Sequence, residues 1–109
     1  MTDFNPRDIY ERLERLGTDW ANKKAIAEIA EETRKTLLAQ LAYKSNESSV
    51  AAREQHALRH EDYLDHVNRM VEARREENIA RVKYDAAKVW VECERTVAAN
   101  ERAANRSAT

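Results

Sequence analysis

At 109 residues the chain is the size of one small domain, which buries a smaller share of its surface on folding than a larger protein would. One glycine and one proline, with 36% charged and 42% hydrophobic residues, exclude turn-rich β folds and any Gly-rich phosphate loop; they describe solvated helices with narrow apolar stripes. A net charge of -1, from 19 bases and 20 acids, supplies no whole-molecule field to draw in nucleic acid, an anionic membrane or an acidic substrate.

Asn5 and Pro6 open the first expected helix: asparagine is a good N-cap, proline fits the first helical position, and Asp8 and Glu11 complement the helix dipole. Ile9, Leu13, Leu16 and Trp20 then recur at spacings of 4, 3 and 4. The same register continues through Ala27, Ala30, Leu37 and Leu41, interrupted by Lys23 and Arg34. Because the stripe stays in phase across Gly17, the helix is expected to run unbroken over about 6–44. Lys44-Ser45-Asn46-Glu47-Ser48-Ser49 ends it, and Ser48 or Ser49 caps a short helix within a connection over about 45–60. A second bend is expected near Arg59-His60, since Glu61-Asp62 reads as the acidic first turn of a new helix over about 61–105, with a frayed tail at 106–109.

Leu64, Val67, Val71, Ile79, Val82, Ala86, Val89, Cys93 and Val97 mark the expected core stripe of that last helix, with polar residues replacing it from Glu72 to Asn78. Folding the two long helices back on each other places Leu41 near Leu64, Trp20 near Ala86 or Trp90, and Ile9 near Val97. The expected fold is therefore all-α: a single domain built as an antiparallel, coiled-coil-like hairpin of two long helices with a short helix in the connection, paired into a homodimer.

No constellation of a catalytic or metal site stands out, and no enzyme activity, metal or cofactor is expected. His56 and His60 are four apart, but a bend is expected between them; His60-Glu61 lacks the second histidine of a zincin, since position 64 is leucine. Cys93 lies on the expected core stripe and reads as a packed thiol; as the single cysteine it cannot close an internal disulfide, which suits a reducing cytoplasm. No apolar run approaches the roughly 20 residues of a membrane span, and MTDFNPRDIYER has no apolar core of a signal peptide, so no membrane association is expected.

Two surfaces merit attention. AAKVWV, residues 86–91, is apolar around more than one helix face, so a self-association or partner surface is expected at Trp20, Ala86, Val89, Trp90, Val91 and Val97. Arg74, Arg75, Arg81, Lys83, Lys88 and Arg95 form the candidate DNA-binding set, although neighbouring acids cancel much of their field and no aromatic stacking platform accompanies them.

The segments 37-LLAQL-41, 49-SVAAREQHAL-58, 62-DYLDHV-67 and 92-ECERTVAANERA-103 resemble small helical proteins of temperate bacteriophages and prophages, commonly encoded beside single-strand annealing recombination genes. The motifs are short, and the sequence departs from the pattern at His60-Glu61, where similar chains have Asp-Pro. The resemblance implies no catalytic residues. What it implies is a non-enzymatic accessory protein in the bacterial host cytoplasm, acting on a recombination or replication protein; direct DNA binding and a purely structural coiled coil are the alternatives.

Overall fold

The computed structural model describes residues 5–108. Three helices, α1 (Pro6–Lys44), α2 (Val50–Arg59) and α3 (Glu61–Ala108), take up nearly all of them, and no strand occurs among the described residues. α1 starts on Asn5, whose Oδ1 accepts the Arg7 amide at 3.0 Å and whose carbonyl accepts that of Ile9 at 3.2 Å. It passes through Gly17 without a break. Ser45 then turns the chain: its amide bonds the Ala42 carbonyl at 3.2 Å and its Oγ accepts the Glu47 amide at 3.2 Å. Ser49 caps α2 by accepting the Ala52 amide at 3.1 Å. α3 continues through 106–108, where a frayed tail was expected; the Ala-rich, Gly- and Pro-free end offers nothing to stop it, and Thr109 lies outside the described residues.

The chain divides into two compact units, one of residues 21–78 and one that joins the described residues up to Trp20 with those from Ile79 onward. In each, α1 and α3 run antiparallel.

In the unit of residues 21–78, Leu41, Ala57 and Tyr63 are buried together, with Leu37, Leu38, Ala42 and Val67 packed around them. The small Ala57 lets α2 lie close against the long helices. Leu64, expected opposite Leu41, is instead half exposed, because its neighbour Tyr63 takes the inward position. Away from this cluster the contacts turn polar. Arg34 donates to the Tyr63 hydroxyl at 3.3 Å, and His66 Nε2 donates to the Ala30 carbonyl at 2.7 Å. Arg74 is held between Glu31, 3.1 Å from its Nε, and Glu77, whose side chain is almost fully buried. The hydrogen bond to Glu31 above all, then that to Glu77, holds the Arg74 guanidinium more firmly in its charged form.

In the other unit the inward positions of α1 are Ile9, Leu13, Leu16 and Trp20, all half-buried and in the expected register. Facing inward on α3 are Ala80, Tyr84, Ala87, Val91, Glu94 and Ala98, spaced 4, 3, 4, 3 and 4. This is not the stripe expected from the sequence. The large residues of α1 are matched with small ones of α3, so that the helices approach closely and fill the space between them. Trp20 stacks on Tyr84, with ring centroids 5.9 Å apart. Trp90 meets Arg12, whose guanidinium stands 5.9 Å from the ring centroid. Val97, expected against Ile9, is half exposed while Ala98 beside it turns inward.

Gly17 makes room for the Tyr84 ring. A Cβ built there meets Tyr84 Cε1 at 3.3 Å, tighter than ordinary contact. Two effects therefore oppose each other in Gly17→Ala: a helix-propensity gain of about 1 kcal/mol and a small forced shift of a stacked ring. The expected outcome is near-neutral stability for alanine and a clear loss for Gly17→Leu, whose side chain needs the space that the ring occupies. Thermal unfolding followed by circular dichroism measures both; a leucine variant as stable as the alanine one would contradict the packing of Tyr84 on Gly17.

Candidate functional site

The branched apolar residues excluded from the inward register form a second face on α3. Val82, Ala86, Val89, Cys93 and Val97 follow spacings of 4, 3, 4 and 4, so they share one side of the helix, turned away from Ala87 and Val91. Val82 and Val89 are 62% and 63% exposed, and Trp90, at the edge of the face, keeps 44% of its surface in contact with solvent. An open groove of about 800 Å³ follows this face, lined by Asp85, Lys88, Val89, Glu92, Cys93, Thr96 and Val97. Leaving valines in water forgoes roughly 25 cal/mol for each Å² of apolar area that a covering partner would bury.

The expected partner surface is thus split. Ala86, Val89, Trp90 and Val97 are outward. Val91 is buried and belongs to the packing with α1, and Trp20 is half-buried against Tyr84, so neither is part of the outward face. The reason is angular: Val89 and Val91 are two residues apart, about 200° around a helix, and cannot share a side. Cys93, expected as a packed thiol, is exposed for the same reason. Val82, absent from the expected set, was the residue to add; its spacing of seven from Val89 was the available signal.

Arg74, Arg81, Lys88 and Arg95 are each seven apart and stand in one row along α3, whereas Arg75 and Lys83 lie off it. Most of the basic set is already engaged. Arg74 is committed to Glu31 and Glu77, Arg75 pairs with Glu72 at 3.2 Å, Lys88 with Asp85 at 3.3 Å, and Arg95 with Glu92 at 3.4 Å. Lys88 also lies 4.6 Å from the centroid of the Tyr84 ring. Arg81 and Lys83 are exposed and form no ion pair among the described residues. A phosphate backbone would have to compete with these carboxylates for four of the six side chains, which lowers the gain from each contact.

Among the described residues no group of three or more His, Cys, Asp or Glu side chains is placed to hold a metal ion. The His56 and His60 rings do approach, with centroids 5.9 Å apart, but His60 Nδ1 already accepts the backbone amide of Asp62 at 3.0 Å. No helix is long and apolar enough to cross a membrane among the described residues. Comparison with known proteins adds no identity: no family model, no curated protein and no solved structure matches the chain.

Proposed function

We propose that this chain is a non-enzymatic interaction protein whose working surface is the outward face of α3 formed by Val82, Ala86, Val89, Trp90 and Val97. The observation that carries the reading is the exposure of those branched and aromatic side chains on a helix whose opposite side already packs against α1. A face of this kind is stabilised when another helix covers it. Self-association into a homodimer is the simplest way to cover it, and a recombination or replication protein is the partner suggested by the resemblance to temperate-phage and prophage proteins. On this reading the chain acts in the bacterial host cytoplasm and uses no cofactor. Direct DNA binding is the less favoured reading, since the acids that pair Arg74, Arg75, Lys88 and Arg95 argue against it.

Light scattering on a size-exclusion column, run over a range of micromolar concentrations, is the test. The expected outcome is a dimer for the native chain and a folded monomer for Val89→Asp. A native chain that stays monomeric throughout sinks the homodimer. In parallel, the anisotropy of labelled single-stranded and duplex oligonucleotides is expected to be flat at low salt. Saturable binding that weakens steeply with salt, and is lost on changing Arg81 and Lys83, would replace this reading with the DNA-binding one.

A further inference from the structure

His60 is the residue on which two helices meet. Its backbone N–H donates to the Ala57 carbonyl at 3.2 Å and closes α2, while φ of -66° and ψ of 138° carry the chain out of helical geometry. Its carbonyl then accepts the amides of Tyr63 and Leu64, each at 3.1 Å, and starts α3. Its side chain completes the start: Nδ1 accepts the Asp62 amide at 3.0 Å, the task ordinarily given to Ser, Thr, Asp or Asn at an N-cap.

A histidine in that position brings a property that those residues lack. An imidazole nitrogen accepts a hydrogen bond only while it carries no proton, and imidazole is the side chain that ordinarily changes charge between pH 5 and 8. The alternative partner for a charged ring is already in place, since Asp62 Oδ2 lies 3.8 Å from the same Nδ1. The titratable groups that face His60 are His56 from α2, ring to ring at 5.9 Å, and Asp62 from α3; Arg59 and Glu61 flank it in sequence. From α1 no side chain forms a hydrogen bond or ion pair with it among the described residues.

We propose that His60 is a proton-operated joint between α2 and α3. In its neutral form it caps α3. When it takes a proton, Nδ1–H turns from the Asp62 amide to the Asp62 carboxylate, and the first turn of α3 loses its cap. A charge on His56 as well adds repulsion across the same joint. The neutral form is the one that caps, so the stability from this bond is present at higher pH and is lost as pH falls. The joint adjoins the buried Ala57 and Tyr63, which places the response beside the Leu41 cluster.

Proton–nitrogen NMR of the full chain from pH 8 to pH 5 tests this, following the Asp62 amide in the native protein, His60→Asn and His56→Ala. In the native protein and in His56→Ala the Asp62 amide signal is expected to shift, and its protection against hydrogen exchange to fall several-fold, as His60 gains its proton. In His60→Asn the side-chain oxygen accepts the same amide at every pH, so both responses disappear. An Asp62 amide that does not respond in the native chain overturns the proposal. So does an equal response in His60→Asn, which would show that the His60 ring is not its source. His60→Ser supplies a second pH-independent cap should the asparagine variant fail to fold.

Discussion

Val91→Asp is expected to melt at least 15 °C below the native chain, on the order of 3–5 kcal/mol for a carboxylate buried without a partner, while Val89→Asp loses only the stability that dimerisation adds and falls by far less. The two valines are neighbours in the same apolar run and equally hydrophobic, yet Val91 is buried in the packing with α1 and Val89 is 63% exposed. Substitution therefore separates the side of α3 that holds the fold from the side available to a partner. Circular-dichroism melts at two or more protein concentrations measure both variants, because a dimer links stability to concentration and a monomeric Val89→Asp would lose that dependence. If Val89→Asp were the variant that unfolded, the branched stripe would be the core after all and the assignment of faces on α3 would be reversed.

The second large effect is expected at Arg74. Arg74→Leu removes the cation between Glu31 and Glu77 and leaves the Glu77 carboxylate, with 5% of its side chain exposed, in a setting from which water is largely excluded. The melting temperature is expected to fall by several degrees at neutral pH. Arg75→Ala, which removes an exposed pair with Glu72, is expected to change it by no more than about 2 °C. The double change Arg74→Leu with Glu77→Leu is expected to recover part of the loss, since the buried carboxylate that loses the Arg74 cation is removed along with it. Urea unfolding of the three variants decides it. A double variant no better than Arg74→Leu alone would mean that the lost Arg74–Glu77 pair is not what destabilises Arg74→Leu.

These two sites also show where sequence reasoning succeeded and where it stopped. Ile9, Leu13, Leu16, Trp20, Ala27, Ala30, Leu37 and Leu41 stand out because one long apolar register runs the length of α1, and each is buried or half-buried, while Ile26 and Ile29 stand exposed off it. α3 carries two such registers. One set is branched and conspicuous, from Val82 to Val97; the other, Ala80, Ala87, Val91 and Ala98, is mostly alanine and reads as neutral filler. Hydropathy favours the first set, but packing against the large residues of α1 selects the second. Polar residues misled in the same way. Arg74 and Glu77 lie in the polar stretch that replaces the expected stripe, but Glu31 on the other long helix joins them in a charge cluster that no local pattern announces.

Composition and short-range pattern were enough for the three helices and their starts, though not for the end of α3. With one glycine and one proline the chain has few ways to turn, and Asn5, Ser49 and the acidic pair Glu61-Asp62 mark helix starts through hydrogen bonds and dipole interactions spanning a few residues. Which side of α3 faces inward, that Tyr84 lies on Gly17, and that Arg74 bridges two carboxylates were decided only in three dimensions. A helix with two usable faces leaves that choice to the shape of its partner. Here the bulk of Trp20 and the leucines of α1 favoured alanines opposite them, and turned the valines outward.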